Sequence, residues 1–206
     1  MYNIPYFKEA DKQKIIAFMK ENYFAVIIGW DGEYPVATQI PLEVEIDGSD
    51  ILLKGHMMKE SDHHKAFLKY PDVLVIFPGP HTYVSASWYS KPGIASTWNY
   101  MTVQAKGRII FGDENDTYEA VKKITEKHEG NSKAAFSKLP ADYVSQMVKA
   151  IVSFEILVAS MENVFKLSQN RDEESKANII RELMKKGTDN AVAIAKAMSE
   201  KLNHGS

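Results

Sequence analysis

Two polar stretches carry residue types suited to holding an anion. Residues 165–171 read FKLSQNR. Strand alternation places Lys166, Ser168 and Asn170 on one face, with Phe165 and Leu167 on the other. Lys166 and Arg171 bring charge and Ser168 brings a short hydroxyl donor, a combination that suits a phosphate. The plainer reading is a solvated strand end followed by a helix cap. The second stretch, Gly55 to Ser61, reads GHMMKES. A strand is predicted to end at Gly55, and Lys59 and Ser61 then precede a helix start, where backbone N–H groups accept anions. The plainer reading there is an ordinary capped loop.

Between these stretches, six aromatics fall within 24 residues: Phe77, Tyr83, Trp88, Tyr89, Trp98 and Tyr100. They either fill a core or subunit interface, or line a flat pocket for a planar ring whose polar edge Asn99 and backbone groups would read. The histidines offer less. His56, His63, His64, His81, His128 and His204 fit no zinc spacing, and no HExxH occurs. His63 and His64 open a predicted helix, so their rings diverge by about 100°. Ser85, Ser87, Ser90 and Ser96 lie near His81, but no GxSxG elbow accompanies them. No catalytic side chain and no metal ligand is therefore assigned.

The elements that must position these residues follow from periodicity. Asp11–Asn22 is a short amphipathic helix. Tyr23–Gly29 is a buried strand, followed by a hairpin-type turn at Asp31-Gly32. Tyr34–Ile46 is one long strand, or two with a break at Pro41. Asp47-Gly48 makes a second tight turn before the strand Asp50–Gly55, so the first half reads as an antiparallel meander. Helical spacing returns at His63–Tyr70. Asp72–Phe77 is a strand stopped by Pro78-Gly79-Pro80, and Met101–Phe111 is another. A helix runs from Gly112-Asp113 to about Glu129. Pro140 opens a further helix as its first residue. Ala150–Ala159 is a strand candidate, with Phe165–Ser168 alternating after it. Two helices close the chain, the first ended by Gly187 and the second capped by Thr188. Strands first and helices inserted and appended later indicate α+β rather than alternating βαβ.

Composition narrows the function. The 206 residues allow one large domain, or one with an appendage. The formal net charge of −2 lacks the basic footprint of a phosphate-tracking DNA binder. There is no cysteine, which removes disulfides, thiolate nucleophiles and cysteine-ligated metal centres. No apolar run reaches membrane-spanning length, and no basic leader precedes an apolar core, so a soluble cytoplasmic protein is expected. No Gly-rich phosphate loop of the Rossmann or Walker type is present.

Taken in order, several segments resemble the PaiB-type FMN-binding proteins, a family of FMN-binding negative transcriptional regulators. The likeness rests on Ala37-Thr38-Gln39-Ile40-Pro41-Leu42, on Gly55-His56-Met57, and on Phe77-Pro78-Gly79-Pro80-His81-Thr82-Tyr83-Val84-Ser85 with Ser87-Trp88-Tyr89. It continues through Thr97-Trp98-Asn99-Tyr100 with Gly107-Arg108, Leu139-Pro140-Ala141-Asp142-Tyr143, Ile151-Val152 with Phe154-Glu155, and Lys166-Leu167-Ser168-Gln169-Asn170-Arg171. The family often has His where Gln39 stands, and Gln or a similar residue where Pro78 stands.

The resemblance implies an α+β fold, an FMN-binding split β-barrel with peripheral helices and a helical C-terminal tail, of the pyridoxamine 5'-phosphate oxidase-like class. It implies residues 1–172 as the FMN-binding split-barrel domain. Residues 173–206 are then a helical C-terminal extension packed on the barrel or on a dimer partner. In that class FMN lies at the interface of a homodimer and is touched by both chains. Thr38, Gln39, Ile40 and Pro41 with Gly55, His56 and Met57 are expected beside the flavin and its ribityl chain, and Lys59 and Ser61 near its phosphate. Trp98, Asn99, Lys166, Ser168, Gln169 and Arg171 are candidates from the same or the partner chain. With no cysteine, the flavin is the expected redox centre of this flavoprotein. The charge, and the absence of a helix-turn-helix pattern, weigh against direct DNA binding, so a transcriptional regulator of this kind is expected to act through a partner or metabolite. The alternatives are a flavin-dependent oxidoreductase on an unknown small substrate, a haem-binding protein on the same barrel with His56 or His81 as axial ligand, and an interaction module without cofactor.

Overall fold

The structure is a computed structural model that describes residues 4–203; Met1, Tyr2, Asn3, His204, Gly205 and Ser206 lie outside the described residues. The described residues form seven strands and six α-helices. In chain order these are α1 (Lys12–Glu21), β1 (Phe24–Trp30), β2 (Pro35–Pro41), β3 (Glu43–Asp47), β4 (Asp50–Met58), α2 (Asp62–Lys69), β5 (Asp72–Val84) and β6 (Thr97–Phe111). They are followed by α3 (Glu114–Glu129), α4 (Ala141–Ala150), β7 (Ile151–Lys166), α5 (Glu173–Lys186) and α6 (Asp189–Asn203).

All seven strands join one sheet in the order β2-β1-β5-β6-β7-β4-β3. The meander expectation holds for the pairs β1–β2 and β3–β4, which are antiparallel hairpins. It fails between β2 and β3. The extended segment breaks after Pro41, and the two halves go to opposite ends of the strand order. Pro41 and Leu42 are the joint, with the Leu42 N–H donating to the Tyr23 carbonyl at 2.8 Å. A residue that leaves the ladder here sends β3 to pair with β4 instead of extending β2.

Several further boundaries differ from the sequence expectation: β4 runs past Gly55 to Met58. β5 does not stop at Pro78 but runs to Val84. Its ladder with β1 covers only Leu74–Ile76, so Pro78 and Pro80 lie past it, where a missing N–H removes no bond on that side. Gly79 gives the Phe18 ring its place: a Cβ there would sit 2.4 Å from Phe18 Cζ. β6 begins at Thr97, earlier than Met101, and β7 is one strand through the stretch that separated two candidates. Pro140 is the residue before α4 rather than its first residue.

The chain divides into two compact units. One comprises Met1–Phe18, Pro78–Val103 and Glu162–Ser206; the other comprises Met19–Phe77 and Gln104–Met161. In the first, Phe18, Val84, Val103, Phe165, Ile179, Leu183 and Ile194 are buried. Their spacing on α5 and α6 is the apolar stripe read from the sequence. Gly187 ends α5 at φ 69, a left-handed position that glycine adopts without a Cβ clash. In the second unit, Ile27, Leu53, Phe67, Val75, Phe77 and Ile156 are fully buried. A satellite core of Val121, Phe136, Val144 and Val148 joins α3 to α4. α3 starts with a reciprocal capping box between Asp113 and Asp116.

Candidate functional site

The fifteen candidate residues separate into two groups, one in each unit. Thr38, Gln39, Ile40, Pro41, Gly55, His56, Met57, Lys59 and Ser61 belong to the unit of residues 19–77 and 104–161. Trp98, Asn99, Lys166, Ser168, Gln169 and Arg171 belong to the other.

The first group is built on β2 and β4, which are not neighbours in the strand order yet meet at Gly55. A Cβ on Gly55 would lie 2.9 Å from Phe154 Cζ, 3.1 Å from Leu42 Cδ2 and 3.4 Å from Ile40 Cγ2. The missing side chain is what lets the end of β2 rest on β4. Beside this meeting point is a cavity of about 1000 Å³. Pro41, Leu42, Gly55, His56, Phe111 and Phe154 contribute to its lining. Lys20, Lys54, Lys122, Lys123, Lys127 and His128 also line it, together with the carboxylates Glu43, Asp116, Glu119, Glu126 and Glu155. Part of that charge is already balanced: Lys54 pairs with Glu45 at 2.8 Å, and Lys123 pairs with Glu43 at 3.1 Å and with Glu45. Thr38 is half-buried, Gln39 exposed, and Ile40 and Met57 buried.

Beyond β4 the chain turns through Glu60, at φ 61, into α2. Ser61 caps α2: its hydroxyl accepts from the His64 N–H at 3.3 Å and donates to the Met58 carbonyl at 2.9 Å. The Lys59 backbone N–H is held by the Ala150 carbonyl at 3.0 Å. His64 Nδ1 accepts from the Glu60 N–H at 3.1 Å, and its ring stands edge-on to Phe111.

Burial pushes the His56 imidazole below the usual histidine value, so it is neutral near pH 7. His64 moves the same way, for the same leading reason. The folded values lie below the unfolded one, so this stability is present above about pH 6.5 and is lost as pH falls toward the folded values. Urea unfolding midpoints are expected to drop below about pH 6.5. His56→Gln and His64→Gln should each flatten that slope; unchanged slopes in both variants would contradict the assignment.

The second group is organised differently. Trp98 is 54% exposed, with the rings of His81 and Tyr83 at 6.2 and 6.0 Å. Asn99 is fully buried. Its amide nitrogen donates to Ser168 Oγ at 2.9 Å, and Ser168 Oγ donates back to Asn99 Oδ1 at 3.1 Å. Alternation therefore fails at Ser168. β7 ends at Lys166, Ser168 takes φ 60, and its side chain is buried rather than facing out with Lys166. Gln169 stitches the same turn, accepting from the Leu167 N–H at 2.8 Å and donating to the Phe165 carbonyl. Lys166 Nζ donates to Thr97 Oγ1 at 2.6 Å. The Arg171 guanidinium lies 4.5 Å from the centre of the Tyr89 ring. Sequence reasoning missed Tyr89 and Thr97 as parts of this cluster. Each meets its partner across about 70 to 80 intervening residues, so no local pattern announces the contact.

The strand order, the antiparallel hairpins and the appended helices define an α+β split-barrel protein. Two flavoprotein structures share the fold. The flavocytochrome Anf3 of Azotobacter vinelandii superimposes with a TM-score of 0.62 at 14% identity, covering 86% of this chain and 78% of that one. A FAD and heme binding protein of Mycobacterium smegmatis gives 0.58 at 12% identity, covering 83% and 78%. The protease synthase and sporulation protein PAI 2 of Bacillus subtilis (strain 168) is 32% identical over 204 residues, 98% of each chain. A family model described as "Putative FMN-binding domain" matches residues 1–160. The chain belongs to this PaiB-type family of FMN-binding split-barrel proteins.

The residues present fit the cofactor. The cavity beside Gly55 is at the upper end of the size range for small-molecule sites. Pro41, Leu42, Phe111 and Phe154 give it apolar surface for a ring system. No helix among the described residues is long and apolar enough to cross a membrane.

Proposed function

We propose that FMN lies along β2 and β4, with Thr38, Gln39, Ile40 and Pro41 on one side and Gly55, His56 and Met57 on the other. Lys59 and Ser61 take the phosphate end. The observation that carries this reading is the meeting of β2 and β4 at Gly55, beside the cavity. A neutral His56 imidazole offers one donor and one acceptor to the polar edge of the cofactor without adding charge. When bound, the flavin supplies the redox chemistry; the chain supplies position, an apolar surface and charge for the phosphate.

The functional unit in this reading is a cytoplasmic homodimer with the flavin at its interface. An exposed apolar surface supports dimerisation. Trp30 and Leu157, each 44% exposed, flank a shallow depression with Ile28, Val73 and Leu74. The reading includes a regulatory role in transcription; the relative's printed name, protease synthase and sporulation protein PAI 2, ties that protein to sporulation. The net charge of −2 favours regulation through a partner or metabolite over direct contact with DNA.

Protein purified without added cofactor should show flavin absorption and hold one FMN per chain. Lys59→Met should weaken FMN binding about tenfold, the loss of one charge-assisted contact. Sedimentation should give twice 23.3 kDa. A colourless protein that takes up no added FMN would overturn the site, and tight, salt-sensitive binding of a defined operator by the pure protein would overturn the indirect route.

A further inference from the structure

We propose that His64 is the positioning residue for the phosphate end of the FMN site: its neutral ring fixes the turn between β4 and α2, and with it the spacing of Lys59 and Ser61. The inference rests on the placement of FMN proposed above and adds a proton-sensitive hold on that cofactor. All the residues concerned lie within one unit.

Three hydrogen bonds carry it. Glu60 stands at φ 61, a left-handed position that a residue with a Cβ holds only when its surroundings enforce it. Its backbone N–H donates to His64 Nδ1 at 3.1 Å. The next residue is held through the histidine backbone: the His64 N–H donates to Ser61 Oγ at 3.3 Å. One histidine thus grips two successive residues of the turn. On the other side, the Lys59 N–H is fixed on the Ala150 carbonyl at 3.0 Å. Glu60 is therefore the strained link between two anchored neighbours. His64 is itself buried, with its ring edge-on to Phe111 and the centroids 4.9 Å apart, so it has a fixed place from which to hold the turn.

The arrangement is a variant of a common helix start. In a capping box the third helical residue, usually Glu or Gln, accepts from the N–H of the cap residue. His64 is the third residue of α2, and its ring reaches one residue further back, to Glu60. A side-chain carbonyl accepts at any pH; an imidazole nitrogen accepts only without its proton. Protonation of Nδ1 would set an N–H against the Glu60 N–H, two donors face to face. Burial holds the ring below the ordinary histidine value, which leaves Nδ1 free to accept near pH 7. Glu60 opposes that shift, while His63, Lys59 and Lys65 add to it. From β6 the ring meets Phe111, which carries no charge. Acid therefore charges His64 and releases the turn, and FMN is held less tightly.

Fluorescence titration of FMN into the flavin-free protein tests the proposal, with hydrogen exchange of the Glu60 amide as a readout that needs no cofactor. At neutral pH, His64→Leu should bind FMN about tenfold more weakly and lose protection of the Glu60 amide. His64→Asn, whose Oδ1 takes the place of Nδ1, should keep both. Glu60→Gly removes the left-handed strain, so it should raise the affinity of the His64→Leu protein more than that of the unmodified one. Lowering the pH from about 7.5 to about 5 should weaken FMN binding more in the unmodified protein than in His64→Asn. Equal effects of Glu60→Gly in both backgrounds, or the same pH profile in His64→Asn as in the unmodified protein, would overturn the proposal. Full FMN affinity in His64→Leu, with Lys59→Met weakened, would overturn it and leave the placement of FMN standing. Lys59→Met without effect on FMN would overturn that placement, and this proposal with it.

Discussion

Gly55→Val is expected to emerge from purification without flavin, and to bind added FMN about 100-fold more weakly than the unmodified protein. A single Cβ at this position already meets Phe154 at 2.9 Å and Leu42 at 3.1 Å. Those atoms are the far ends of side chains, so alanine costs a small adjustment. Valine adds two γ-carbons in the same crowded space. Phe154 cannot retreat freely, because its residue pairs with Gly55 in the β4–β7 ladder. The yielding side is therefore Ile40 and Leu42, and they carry the end of β2 with them. That shift moves Thr38–Pro41 away from Gly55–Met57, the two segments proposed to flank the cofactor. Overpacking of this size costs about 1–3 kcal/mol. The protein should stay folded with a lowered urea midpoint and an empty site. Flavin absorption and FMN titration read the outcome, with Gly55→Ala as the milder comparison. A Gly55→Val protein that keeps FMN at full affinity would show that the cofactor does not lie along this junction.

Much of this arrangement was legible because it is local. Val and Ile runs bounded by Asp-Gly turns marked β1 and β4, and apolar spacing marked α5 and α6, down to Gly187 as the stop. Of the first-half segments, the end of β2 and the middle of β4 lie together at Ile40 and Gly55. What stayed hidden depends on distant neighbours. Pro78-Gly79-Pro80 has the chemistry of a strand stop, and it ends a strand wherever both edges need N–H donors. Here the β1 ladder finishes at Ile76, and Phe18 fills the space over Gly79, so the strand continues. The break at Pro41 was visible as an option, but the separation of β2 from β3 to opposite ends of the order was not. Nothing in residues 34–46 encodes the partner each half will choose. Tyr89 under Arg171 is the same case: the two residues meet through the fold, and neither has a spacing that announces the other.

FKLSQNR shows how a polar segment can be read correctly as special and wrongly as uniform. Alternation assigned Ser168 to the outward face with Lys166. The structure ends β7 at Lys166 and turns Ser168 inward at φ 60, while Asn170 is exposed and Lys166 and Arg171 are half-buried. Ser168 and Gln169 form the frame. Asn99 is the far side of that frame, which explains why a polar residue stands at a fully buried position between Trp98 and Tyr100. A buried amide is tolerated when its hydrogen bonds are made, and both of its polar atoms are engaged with one hydroxyl.

Asn99→Leu is accordingly expected to destabilise the protein by about 2–4 kcal/mol. Leucine nearly matches the volume, so the loss is not a cavity. It comes from Ser168, whose hydroxyl would lose its donor at 2.9 Å and its acceptor at 3.1 Å together. An orphaned buried hydroxyl costs about 1–3 kcal/mol. Ser168 also sits in a left-handed conformation that a non-glycine residue holds only when its surroundings enforce it. Removing the bond that enforces it lets the turn relax, and Lys166 and Arg171 move with the turn. Ser168→Ala in the Asn99→Leu background should therefore cost less than in the unmodified protein, because the group it deletes is already unpaired. A double-mutant cycle by urea unfolding reads this coupling, with an interaction of about 1–2 kcal/mol expected. Strict additivity would separate the two residues energetically, and would leave the left-handed turn to be held by Gln169 and by the Arg171 N–H on the Ser168 carbonyl. Coupling would tie a buried asparagine on β6 to the placement of two half-buried cations, Lys166 at the end of β7 and Arg171 in the turn that follows.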